Sequence, residues 1–150
     1  LFDSYRGAFI RQLGTLGTKL LLGYMRKEST EQIILVNRVR QLYPDVLIFA
    51  IPNGGQRSIT EAVRLKAEGV LAGVPDLFLA RAGENSHGLF IEMKRARGGI
   101  DGKRGGGKVS AKQQSVMETL KHEGYAVLVA YGCDEAWPYV EQYLKEGKTQ

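Results

Sequence analysis

Apolar and polar positions along the chain change period several times, and each change marks an element. Ser29-Thr30-Glu31-Gln32 has the form of a capping box. Ile33, Val36, Val39 and Arg40 continue a helix from it to about Tyr43, where Pro44-Asp45 ends the pattern. Val46 to Ile51 is an apolar strand, halted by Pro52-Asn53-Gly54-Gly55. Ser58-Ile59-Thr60-Glu61 opens a short second helix expected to reach Glu68, and Gly69 and Gly73 bracket a turn before Pro75-Asp76. Leu77 to Ala80 reads as a strand, Glu84 to Gly88 as a hairpin turn, and Leu89 to Lys94 as the next strand. A glycine-rich loop runs from Gly98 to Lys108. Ser110-Ala111-Lys112-Gln113 then caps a third helix reaching Glu123, with Val116, Met117 and Leu120 inward. Tyr125 to Ala130 reads as a buried strand. A last helix, starting between Asp134 and Pro138, carries Trp137, Val140, Tyr143 and Leu144. Proline is tolerated only in a helix's first turn, which places Pro138 there. The order α-β-α-β-β-α-β-α predicts a three-strand meander, a crossover helix and a fourth strand: an α/β fold with a mixed sheet flanked by helices.

Length supports one domain with a real core. Residues 29–150 read as that domain and residues 1–28 as an N-terminal extension, either a leader or a dimerisation arm. Phe9, Leu13, Leu16 and Leu20 recur there at helical spacing, but Gly14, Gly17 and Gly23 weaken a helix. No secretory cleavage pattern is present, no apolar run has the length of a membrane span, and there are no internal repeats. The single Cys133 excludes an internal disulfide and suits a reducing compartment, so the expected location is the cytoplasm of a bacterial or phage-infected cell. One cysteine and two distant histidines, His87 and His122, argue against zinc. A metal would be held by oxygen, which points to magnesium or manganese.

The placement of charge is more informative than its total. From Lys94 to Lys112 seven basic residues stand against Asp101, a local +6 in a chain whose total is +5, leaving −1 elsewhere. A solvated loop explains such a patch, but so does a polyanionic substrate, because phosphate contacts supply most non-specific nucleic-acid affinity. Arg95, Arg97, Lys103, Arg104, Lys108 and Lys112 are the candidate DNA contacts.

Candidate chemistry lies beside this patch. Asp76 follows a proline turn, and Glu92 and Lys94 stand on the strand that ends at Lys94. Side chains at i and i+2 of a strand share a face, so Phe90, Glu92 and Lys94 point one way and Leu89, Ile91 and Met93 the other. Two hard carboxylates can hold a divalent ion, and a lysine can orient a nucleophile or stabilise charge on phosphate. Each residue alone has an ordinary reading. An E-x-K pair can be a cross-strand ion pair, and an aspartate after proline is a common turn residue. Glu92, however, interrupts a run apolar on both faces, where an unpaired charge is costly. Glu31 is explained by the dipole of its own helix, or else as a further metal ligand. Gln113 completes a capping box, or else lies near the scissile phosphate. Gly102 to Lys108 fits the spacing of a nucleotide-binding loop, but Val109 stands where serine or threonine is needed and no strand precedes it directly. A basic flap over DNA fits that loop better.

Taken together, these residues resemble the virus-type replication-repair nuclease (VRR-NUC) family, a branch of the PD-(D/E)XK nucleases. The resemblance runs from about Thr30 to Gly132. It is carried by Glu31, by Ile51-Pro52-Asn53-Gly54-Gly55, and by Leu65-Lys66-Ala67-Glu68-Gly69 leading to Ala72-Gly73-Val74-Pro75-Asp76-Leu77. Ile91-Glu92-Met93-Lys94 with Ser110-Ala111-Lys112-Gln113 completes it. The resemblance implies a restriction-endonuclease-like α-β-β-β-α-β core and a phosphodiesterase dependent on Mg2+ or Mn2+. It implies metal binding by Asp76, Glu92 and the Met93 carbonyl, with Glu31 a possible further ligand, and a catalytic set of Glu31, Asp76, Glu92, Lys94 and Gln113. The family's link to branched DNA, and the need for two active sites to cut both strands of a junction, lead to an expected homodimeric endonuclease. Its leading substrate is the four-way Holliday junction in DNA repair. A flap- or fork-specific nuclease, an exonuclease, and a non-cleaving branched-DNA-binding module are the alternatives.

Overall fold

The apolar stretches read as strands come together in one sheet, and the first three pair antiparallel. The computed structural model describes residues 28–52, 58–96 and 107–147. Its elements are α1 (Glu28–Leu42), β1 (Ile48–Ala50), α2 (Ile59–Ala67), β2 (Leu77–Leu79), β3 (Leu89–Lys94), α3 (Ala111–His122), β4 (Ala126–Tyr131) and α4 (Cys133–Glu146). The four-stranded sheet has the order β1-β2-β3-β4. β1 and β2 pair antiparallel, as do β2 and β3, while β3 and β4 run parallel across the α3 crossover. The result is the expected α/β architecture, a mixed sheet flanked by four helices. Among the described residues no helix is long and apolar enough to cross a membrane.

Strand alternation decides which face becomes core. Leu89, Ile91 and Met93 of β3 are at most 1% exposed. They pack with Leu35 and Val39 of α1 and with Trp137, Val140 and Leu144 of α4. Burying each such side chain contributes about 1.5–3 kcal/mol. The opposite face of β3 carries Phe90, Glu92 and Lys94 and is approached by α3, whose Met117 is buried against the sheet side.

The chain departs from the expected pattern in four places. β1 and β2 are only three residues each, although Ile51 N–H donates to Asp76 O and Ala80 N–H to Leu47 O, extending the ladder by one bond at either end. Ile33 is 46% exposed, because Leu35, from the apolar run 33–36, and Val39 after it face the core instead. β4 is an edge strand, partly buried except for fully buried Ala130, not the buried strand expected. α4 starts at Cys133, so Pro138 falls in the second turn, not the first; its exposed side of the helix lets the lost bond face solvent. The extension read at 1–28 lies outside the described residues apart from Glu28, as do Asn53-Gly54-Gly55 and most of the glycine-rich loop.

Candidate active site

Glu92 and Lys94 sit two residues apart on β3, and their side chains meet. Lys94 Nζ lies 2.7 Å from Glu92 Oε1. Glu92 is 3% and Lys94 7% exposed, so each charge is desolvated and leans on the other. The register that pairs Leu77 with Ile91 sets Asp76 beside Glu92 at the end of the β2–β3 pair. Asp76 Oδ2 accepts the backbone N–H of Met93 at 2.9 Å. Asp76 O accepts Ile51 N–H at 2.8 Å, which ties the acid to all three antiparallel strands.

The turn before Asp76 explains its sequence. Gly73 has φ +98°, a left-handed conformation that side chains disfavour. A Cβ there would stand 3.1 Å from the Lys112 carbonyl oxygen in the first turn of α3. Buried Pro75 follows, and Asp76 emerges with its position fixed from both sides.

Gln113 uses both ends of its amide. Ser110 Oγ accepts Gln113 N–H at 3.2 Å and Gln113 Oε1 accepts Ser110 N–H at 2.9 Å, a complete capping box. The other end of the same amide donates from Nε2 to Glu92 Oε1 at 2.5 Å, and Lys94 Nζ lies 3.5 Å from Gln113 Oε1. The cap of α3 therefore holds the buried ion pair of β3.

Glu31 reaches the same end of the sheet from α1, but its partner is a different helix. Its Oε2 accepts Cys133 N–H at 2.8 Å, at the start of α4. Gly132, the N-cap, supplies no side-chain bond, so a carboxylate from α1 does so. Gly132 N–H in turn donates to Lys94 O at 3.0 Å. Glu31 is 7% exposed, and its carboxylate lies at the N-terminus of α4, where that helix's dipole favours it.

Asp76, Glu92, Met93, Lys94 and Gln113 are thus brought together, with Glu31 next to them as a cap. Among the described residues no set of three or more His, Cys, Asp or Glu side chains is placed to hold an ion. Two adjacent carboxylates and a backbone carbonyl nonetheless fit magnesium or manganese, hard ions commonly held by one or two carboxylates with the remaining positions filled by water and substrate phosphate. Arg95, Lys108 and Lys112 are exposed near this end; Arg97, Lys103 and Arg104 lie outside the described residues. One neighbour escaped the sequence. Tyr131 is the Cα partner of Lys94 across the parallel β3–β4 pair. Only the register of that pair reveals it, and nothing local in the sequence sets that register.

The VRR-NUC domain model matches residues 25–134 of the chain. A solved structure described as a "VRR_NUC domain protein" superposes with a TM-score of 0.59 at 28% identity, covering 82% of this chain and 92% of that one. Its fold accords with the PD-(D/E)XK-like core described above. Comparison with curated proteins finds no match.

Proposed function

The chain belongs to the VRR-NUC domain family, and from that membership we propose a divalent-metal-dependent DNA endonuclease that selects its substrate by structure. Membership implies nuclease-type function; the metal, the branched substrate and the dimer are our own extension. The observation that carries the reading is the convergence of Asp76, Glu92, Lys94 and Gln113 at one end of β3.

Asp76 and Glu92, with the Met93 carbonyl, would hold magnesium or manganese. Such an ion, when bound, supplies Lewis-acid stabilisation of phosphate charge and lowers the pKa of water. Lys94 provides a positive charge for the attacking water or for the phosphate oxygens as negative charge develops. Gln113 orients both Glu92 and Lys94 from a rigid helix start. Arg95, Lys108 and Lys112 supply salt-sensitive contacts to flanking phosphates. Among the described residues each chain has one such site. Paired cuts in a four-way junction need two, which a symmetric homodimer provides.

A cleavage panel of four-way junctions, flaps, forks and linear duplex, with magnesium or manganese, tests the reading. Paired cuts in the junction, abolished by Asp76→Asn, are expected. Binding without product under every metal condition would make the chain a non-cleaving branched-DNA module. Progressive digestion from ends would make it an exonuclease. Solution mass tests the dimer.

A further inference from the structure

The face of the sheet that carries Glu92 and Lys94 continues into a row of aromatic rings. Phe49, Phe78 and Phe90 are successive Cα partners across β1, β2 and β3, so they share a face. Phe90 is two residues before Glu92, which puts the row about 7 Å from the carboxylate along the strand. The ring centroids of Phe49 and Phe78 are 5.7 Å apart, those of Phe78 and Phe90 4.5 Å, and those of Phe90 and Tyr125 5.3 Å. The row therefore spans β1 to β3, with Tyr125, just before β4, against its end. Gly88 makes room for it, since a Cβ there would meet the Phe78 ring at 2.7 Å.

The described helices cover this row unevenly. α3 packs against β4 on this face, whereas α1 packs against β1 and β3 from the core side. Phe49 remains 41% exposed and Leu47, two residues earlier on the same face, 61%. An aromatic surface open at one end and continuous with a phosphate-cutting site at the other has one occupant whose chemistry matches both. That occupant is a nucleotide strand.

We propose that the Phe49–Phe78–Phe90 row is a stacking platform for an unpaired base near the scissile phosphate. This rests on the nuclease reading and adds to it a physical basis for selecting DNA by structure. The open ring, Phe49, lies two strand spacings, about 10 Å, across the sheet from Phe90, so it takes a base farther along the nucleotide strand than the one beside Glu92. Rings accept any base, because every base has a π-face. A base held in a duplex stack cannot reach them. Substrates with unpaired or easily unstacked bases are therefore favoured, without any sequence being read.

The test is fluorescence-anisotropy binding of Phe49→Ala and Phe49→Trp, both in the Asp76→Asn background so that the DNA stays intact. The probes are a fully paired linear duplex and the same duplex with a central unpaired bubble. Phe49 is on the surface, so neither variant threatens the fold. Phe49→Ala is expected to weaken bubble binding by about 5- to 150-fold while leaving the paired duplex unchanged. Phe49→Trp is expected to restore bubble binding. A 2-aminopurine in the bubble should lose its quenching in Phe49→Ala and recover it in Phe49→Trp. Equal effects on both probes, or no effect on either, would overturn the platform. So would a loss of dimer mass in Phe49→Ala, which would assign the face to a second copy of the chain. If the wild-type chain cuts no DNA, the nuclease reading fails, and the ratio of the two affinities still decides the platform.

Discussion

Replacing Lys94 by Met should destabilise the protein strongly, and replacing Glu92 at the same time should reverse the loss. The side chains of Glu92 and Lys94 are 4% and 9% accessible, and 2.7 Å separates their charged atoms. Lys94→Met keeps the length and the packing of the side chain but leaves the Glu92 carboxylate with Gln113 Nε2 and without its counter-charge. Breaking a buried pair from one side costs about 3–5 kcal/mol. A domain of ordinary stability has only about 5–15 kcal/mol to lose. At roughly 2–4 °C per kcal/mol for a chain of this size, the melting temperature should fall by roughly 6–20 °C. Glu92→Gln should also destabilise, since the buried Lys94 ammonium then loses the carboxylate 2.7 Å away.

The double variant Glu92→Leu/Lys94→Met removes both charges and fills the space with apolar atoms. Such replacements are neutral or stabilising by about 1–4 kcal/mol. It should therefore melt at or above the wild-type temperature while cutting no DNA. Urea unfolding followed by the fluorescence of Trp137, the only tryptophan and 3% exposed, measures all of these variants on one probe. Single variants within 1 kcal/mol of wild type, with an additive double, would refute the reasoning. The pair would then be hydrated in solution and its charges held by water rather than by each other.

Three further outcomes follow from the same geometry. Glu31→Gln keeps an oxygen for Cys133 N–H and should melt close to wild type, whereas Glu31→Ala removes the buried carboxylate that accepts this N–H and should lose about 1–3 kcal/mol in thermal melts. Gly132→Ala should cost about 1–3 kcal/mol in urea unfolding, because φ is +90° and the new Cβ would stand 2.9 Å from Ala96 Cβ. Tyr143 donates to Arg81 O at 2.8 Å and meets Ser86 Oγ at 2.9 Å, and burial pushes its phenol above the ordinary value of 10.0. A raised folded pKa means stability that is intact below the unfolded pKa and lost as pH rises through the folded one. Stability should therefore decline above about pH 10, where the unfolded phenol begins to ionise, and Tyr143→Phe should flatten that decline in a pH series of urea midpoints.

The β3 strand was legible to the residue, because period-two alternation survives in Leu89 to Lys94 and only one register buries Leu89, Ile91 and Met93 together. The faces of α3 and α4 were legible for the same reason at helical period. α1 was not, because residues 33–36 are all apolar and a run of four names no face. Pairing alone decided that Leu35 turns inward and Ile33 outward. β4 reads as apolar as β3 but lies at the edge, a fact of topology that composition does not carry. Tyr131 next to Lys94 was invisible for a related reason: parallel register is set across the α3 crossover, not by neighbouring residues.

Glu31 and Gln113 show why the choice between a structural and a catalytic reading is sometimes badly posed. The sequence offered the dipole of its own helix or metal binding for Glu31, and capping or catalysis for Gln113. In the structure Gln113 caps α3 with one end of its amide and holds Glu92 with the other. The bland reading was physically right and did not exclude the sharp one, because a helix start is where a side chain is most firmly oriented. Glu31 likewise acts on a helix terminus, that of α4, and the adjacent Gly132 N–H bonds the carbonyl of Lys94. Both capping interactions therefore anchor the end of β3, from opposite faces of the sheet. A site that must keep a buried carboxylate and ammonium in fixed register needs such anchoring. The two residues with the most ordinary explanations are those that hold the costly charges in place.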